Sequence, residues 1–167
     1  VILLVLGVLT PQESYQAIHW QVIVLIAALI PLGIVIQSSG TAEWIGGSIS
    51  SAVRKAPLEW QAHVLLALIY LITIILTEIS SNAATAIIMT PIALVVSQQM
   101  GYDPRPFIFG VTFAASASFI TPVGYQTNLM VYGPGGYKFS DYIRVGFPLA
   151  LIFWAMAIFI LPTIWPF

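Results

Sequence analysis

Thr77, Glu78, Ser80, Ser81 and Asn82 fall within six residues in the stretch TEISSNAAT, residues 77–85, between two oily runs. A second polar cluster, TPVGYQTN at 121–128, follows about 40 residues later. Hydroxyls, an Asn side-chain oxygen and freed backbone carbonyls are hard, neutral oxygen ligands of the kind sodium takes. Pro122 and Gly124 forbid a continuous ideal helix through the second cluster. Each cluster precedes an expected helix start, near Ala84 and near Asn128. A helix N-terminus carries about half a positive charge and several free N–H groups, which suit an anion. One short motif can therefore hold a cation on its carbonyl side and an anion on its N–H side. Neither cluster contains Lys or Arg. An anion bound there takes its countercharge from co-bound cations and dipoles, which argues for cation-coupled uptake.

The elements that carry these clusters are apolar. The 167 residues are 59% hydrophobic and 7% charged, with a mean hydropathy of +0.98. Five Lys plus Arg and six Asp plus Glu cannot clothe a soluble fold. The class expected is an all-α polytopic membrane protein whose solvent is largely lipid. A net charge of −1 offers no basic stripe to nucleic acid, and the absence of cysteine excludes disulfides, thiol nucleophiles and thiolate metal sites. Val1 to Leu9 reads as the end of a helix, and with no initiating Met and no basic flank the chain reads as a fragment cut within a membrane helix. Residues 10–20 read as a polar connector. Val22 to Ile36, extended to Ser38, reads as a span kinked at Pro31. Residues 40–55 read as an interfacial amphipathic helix with Trp44, Ile45, Ile49 and Val53 at helical spacing. Apolar helices follow at Leu58 to Leu76, Ala84 to Val96 and Phe107 to Phe119, then a short run at Leu129 to Tyr132. Residues 133–144 read as a water-side loop and Val145 to Leu161 as the last span. Trp20, Trp44, Trp60 and Trp165 lie near segment ends, as an aromatic belt requires.

In hydrocarbon every backbone donor and acceptor must be satisfied internally, so a non-helical stretch survives only inside protein or against a wet cavity. Broken helices of this kind are how secondary transporters build ion sites. A single Ser or Thr in a membrane helix ordinarily bonds its own backbone or a neighbouring helix. The conjunction of two breaks, each with Thr and Asn, points beyond that to a site. Glu78 is open to two roles, a local cap or a proton relay. His19 and His63 lie near segment ends and read as interface residues. An aspartyl intramembrane protease is excluded because Asp103 and Asp141 both fall in loops. The competing readings are a cation:proton exchanger built on Glu78 and a structural subunit of a membrane complex.

The stretches TEISSNAAT and TPVGYQTNLMVYGPGGYKFSDYIRVGFPL resemble the divalent anion:sodium symporter family of the ion transporter superfamily, in particular its sulfate-permease-like members with a GYQTN segment. The resemblance covers essentially the whole chain, as the C-terminal one of two inverted repeats. It implies a re-entrant hairpin over Leu58 to Met100 with Ser81 and Asn82 at its tip. It also implies a discontinuous helix over Phe107 to Gly133, unwound at Thr121 to Gln126. By the same resemblance, residues 1–57 are scaffold-side helices joined to an interfacial helix, 58–142 a transport domain and 143–167 the last transmembrane helix. Sodium, the only cofactor implied, falls on Thr77, Ser80, Asn82 and a carbonyl near Ile120. The anion falls on Ser81, Asn82, Thr121, Pro122, Thr127 and Asn128. The implied carrier is a multi-pass homodimer of the cell membrane that includes the missing N-terminal repeat and works as an elevator. The family's tip commonly reads Ser-Asn-Thr, but Ala83 stands third here, and Pro122-Val123-Gly124 replaces paired prolines. Both departures favour a small inorganic oxyanion, sulfate first, over a dicarboxylate.

Overall fold

The computed structural model describes residues 10–16 and 20–167, and the reading of Val1 to Leu9 and of His19 lies outside them. In chain order the helices are α1 (Pro11–Gln16), α2 (Trp20–Ser38), α3 (Thr41–Val53), α4 (Gln61–Thr77), α5 (Asn82–Gln99), α6 (Arg105–Ser116), α7 (Gln126–Tyr132) and α8 (Phe139–Ile164). A 3₁₀ turn at Leu58–Trp60 leads into α4. The described residues contain no strand, so the all-α class is observed. Leu58–Thr77 (20 residues) and Phe139–Ile164 (26 residues) are each long and apolar enough to cross a membrane.

The core lies between α4, α5 and α6. α4 buries Leu65, Leu66, Ile69, Tyr70, Thr73, Ile74 and Thr77, a stripe at three- and four-residue spacing that keeps one helix face inward. α6 answers with Phe107, Val111 and Ala114, all fully buried. Gly110 lets the two helices close, since a Cβ there would lie 2.8 Å from Leu66 Cδ1. Gly46 does the same for α3 against Val96 of α5. α8 is tied to α4 by the Trp154 indole, which donates to the Ala67 carbonyl at 3.0 Å. At the far end Phe109 stacks on Trp165 at 4.0 Å, and His63 meets Phe167 edge-on at 4.9 Å.

Several boundaries differ from the sequence reading. The connector at 10–20 carries a helix, α1, because Thr10 and Glu13 cap each other: the Glu13 N–H reaches Thr10 Oγ1 at 3.2 Å and the Thr10 N–H reaches Glu13 Oε2 at 2.8 Å. The last helix begins at Phe139 rather than Val145, so most of the expected loop at 139–144 is helical. Asp141 supplies the reason, accepting from the Lys138 N–H at 2.8 Å at that start. α5 and α7 begin at Asn82 and Gln126, each two residues before the expected starts at Ala84 and Asn128. α3 buries Ala42, Gly46, Ile49, Ser50 and Val53, while Trp44 is 76% exposed and stands off that buried face.

Candidate functional site

α4 and α5 are joined by only four residues, 78–81, and pack against one another. Ser81 ends the turn of the link and starts α5: its backbone is extended and its Oγ accepts the Ala84 N–H at 3.2 Å. α6 ends at Ser116, and the chain stays unwound from Ala117 to Tyr125 before α7 begins. The unwinding therefore starts four residues earlier than the expected Thr121 and ends at Tyr125 rather than Gln126. Small residues, Ala114 to Ser118, bring the end of α6 into the core without bulk.

The two breaks meet. The Glu78 carboxylate accepts the Ile120 N–H at Oε1 and the Thr121 N–H at Oε2, both at 2.9 Å, across more than 40 residues of chain. Thr77, fully buried, places its Oγ1 2.8 Å from Asn82 Oδ1 and 2.8 Å from the Ala115 carbonyl oxygen. Thr121 Oγ1 accepts the Gly124 N–H at 3.0 Å. Asn128 Nδ2 donates to the carbonyls of Ser118, at 2.9 Å, and Thr121, at 3.1 Å. The Tyr142 hydroxyl, from α8, donates to the Asn128 carbonyl at 2.8 Å. A Cβ on Gly124 would collide with Ser118 Oγ and lie 2.7 Å from Glu78 Oε2. A Cβ on Gly146 of α8 would collide with the Phe119 carbonyl. Gly146 lets two backbones approach, and Gly124 makes room for three side-chain oxygens. Thr85 Oγ1 and Ser118 Oγ are buried with no hydrogen-bond partner among the described residues.

Of the residues assigned to sodium, the structure brings Thr77 and Asn82 into contact. Ser80 is exposed, its N–H bonded back to Leu76. Ile120 enters through its N–H on Glu78. Of those assigned to the anion, Ser81 and Thr121 cap backbone N–H groups, Pro122 is buried and Thr127 is exposed. Asn128 spends its amide nitrogen on two carbonyls. Sequence reasoning missed Ala115, Gly146 and Tyr142, and it read Gly124 only as a helix breaker. Ala115 carried a partial signal, since it sits in the small-residue run that precedes the break. Tyr142 carried none, because its helix had been read as loop. No group of three or more His, Cys, Asp or Glu that could hold a metal occurs among the described residues.

The sequence matches the family model described as citrate transporter over residues 1–112 and again over 82–167. The chain belongs to this family of membrane transporters. Among its relatives, an uncharacterized transporter of Synechocystis sp. is 51% identical over 87% of this chain and 23% of its own length. Sodium/sulfate cotransporter 1 of Chlamydomonas reinhardtii is 32% identical over 96% of this chain and 18% of its own. A sodium-dependent high-affinity dicarboxylate transporter of Caenorhabditis elegans is 36% identical over 82% of this chain and 23% of its own. With these relatives the citrate-transporter match makes the chain a divalent anion:sodium symporter family member. It spans about a quarter or less of the length of the curated relatives it matches.

Proposed function

We propose that the chain supplies one inverted repeat of a secondary active carrier that couples uptake of a small anion to sodium. The supporting observation is the Glu78 bridge, which ties the α4–α5 link to the unwound stretch after α6. Sodium binds among Thr77 Oγ1, Asn82 Oδ1 and the Ser80 hydroxyl, with backbone carbonyls at Ala115 and Ile120. The anion is met by Ser81, Asn82, Thr121, Thr127 and the backbone around Pro122. Two donors are alike by construction. Ser81 and Thr121 each accept an N–H three residues on, which leaves each hydroxyl proton for a ligand. The N-terminus of α5 adds its dipole.

Sulfate is the preferred substrate on this reading, because Ala83 removes a hydroxyl that a larger dicarboxylate would use. The relatives named above include both a sulfate and a dicarboxylate carrier. Leu58 to Met100 is a re-entrant hairpin on this reading, and residues 58–142 form the moving body of an elevator. Residues 1–57 belong to its scaffold, 143–167 form the last crossing, and the carrier is a homodimer in the cell membrane. Glu78 spends both carboxylate oxygens on backbone N–H groups, which counts against its use as the proton carrier of an exchanger.

Proteoliposomes holding the full-length protein test this with labelled sulfate, phosphate, succinate and arsenite, each with and without a sodium gradient. Sulfate uptake that requires sodium is expected. Uptake driven by a proton gradient alone, with sodium without effect, overturns it. Within that assay Asn82→Ala should raise the sodium concentration needed for half-maximal uptake at least about tenfold, since an oxygen ligand is lost. Thr121→Val, of similar shape, should raise the anion KM with expression unchanged.

A further inference from the structure

We propose that Glu78 and Asn128 are positioning residues that grip Thr121 from opposite sides and fix the direction of its hydroxyl proton. The proposal rests on the reading of Thr121 as an anion ligand and adds how that ligand is aimed. The Thr121 N–H is held by Glu78 Oε2 at 2.9 Å, and its carbonyl is held by Asn128 Nδ2 at 3.1 Å. Its Oγ1 accepts the Gly124 N–H at 3.0 Å. Every polar group of the residue is thus engaged except the hydroxyl proton, the one donor left for a ligand.

The two gripping side chains have opposite chemistry. An ionised carboxylate only accepts, and the amide nitrogen of Asn donates two protons. Glu78 takes two successive N–H groups, those of Ile120 and Thr121. Asn128 serves two carbonyls, those of Ser118 and Thr121. Together they replace the helical bonds that the unwound stretch gives up, which any stretch at membrane depth must do. Neither is free-standing. Asn128 is fixed through its own carbonyl by the Tyr142 hydroxyl at 2.8 Å. Glu78 continues α4 by donating its N–H to Ile74 at 3.2 Å. Gly124 leaves room for the grip, because a Cβ there would press on Glu78 Oε2 and Ser118 Oγ. Asn128 therefore serves the anion through Thr121 and not by touching it.

Substitution breaks the grip without changing bulk. Glu78→Gln sets an NH₂ against one of the two N–H groups, and Asn128→Asp sets oxygen against two carbonyl oxygens. Each leaves a half-buried polar group facing its like, which should raise the anion KM about tenfold. Glu78→Asp keeps two acceptor oxygens and should recover part of that loss. Tyr142→Phe removes a single bond and should cost about two- to threefold.

The test is a double-mutant cycle in the full-length protein, reconstituted with a sodium gradient and assayed with labelled sulfate and succinate. KM and maximal rate are measured for Glu78→Gln, Asn128→Asp and Thr121→Val, and for each of the first two combined with Thr121→Val. Thermal unfolding in detergent selects the variants that fold. If Glu78→Gln or Asn128→Asp fails there, Glu78→Asp and Tyr142→Phe enter the same cycle. The expected result is a raised KM for each single change, little change in maximal rate, and no further rise once Thr121 is already Val. KM effects that add fully in the Thr121→Val background overturn the grip and leave the site reading standing. Wild-type KM in Thr121→Val itself removes Thr121 from the anion site, and the grip falls with it.

Discussion

At the scale of single residues, the glycine at 124 is the most constrained position of the site. A methyl there would meet three oxygens, those of Ser118, Glu78 and Thr121. Gly124→Ala should abolish most sodium-dependent uptake while the protein still reaches the membrane, measured as uptake per transporter at fixed surface amount. Retention of more than half the uptake would show that the break can give way. Outside the site, Asp103 accepts from Arg105 Nη2 at the start of α6, in the exposed ion pair of that loop. The Arg105 side chain first, and its backbone N–H second, hold the Asp103 carboxyl below its ordinary value. A depressed carboxyl stabilises the fold above its unfolded pKa and ceases to do so as pH falls through the lower folded value. The unfolding midpoints of wild type and Asp103→Asn should therefore differ near neutral pH and converge in acid. The effect is small because the pair is exposed.

At the scale of elements, the start of α5 and the break after α6 are legible in the sequence because both are announced by local chemistry. Ser81 before Asn82 is an N-cap signal, and Pro122 with Gly124 is a break signal. What fixes the length of the break was not legible. Ala117 to Phe119 contain no breaker, and they leave the helix because Glu78 and Asn128 draw on that backbone from distant points of the chain. Such contacts have no local signature. The same holds for Gly146, a lone glycine inside an apolar helix until the Phe119 carbonyl is seen against it. Gly146→Ala should force α8 away from the break and cost about 1–3 kcal/mol by overpacking, read as a lowered unfolding midpoint in detergent. An unchanged midpoint would mean that the contact yields freely. Trp154→Phe, which deletes the indole bond to Ala67, should cost about 1 kcal/mol in the same measurement.

At the scale of the molecule, α8 keeps a narrow buried face of Gly146, Ala150, Ala157, Ile158 and Leu161. Its other faces expose Leu151, Ile152, Met156, Phe159 and Ile160. In a membrane transporter such a surface is met by lipid or by further protein, and the relatives carry roughly four parts to this one. A charge in mid-helix costs about 2.5–3.5 kcal/mol on insertion scales. Ile152→Lys in the full-length protein should accordingly lower the membrane-inserted yield severalfold, while Ile152→Leu should not. Equal yields would place that face in water. The tip residues Ile79 and Val123 are likewise exposed, at 84% and 69%, beside the site. The polar class of the site was readable from the sequence, because a chain this apolar has little reason to collect hydroxyls between its oily runs.

The Thr77 hydroxyl owns a single proton, yet two acceptors, Asn82 Oδ1 and the Ala115 carbonyl, each stand 2.8 Å away. It can serve one of them at a time. The junction is thus short of positive charge by its own construction, with Thr77 and Ala115 buried and Asn82 half-buried. A small cation would relieve whichever acceptor the proton leaves idle, so the protein without sodium should be the looser one at this joint. Amide exchange around Asn82 that slows when sodium is added would be the sign of that relief.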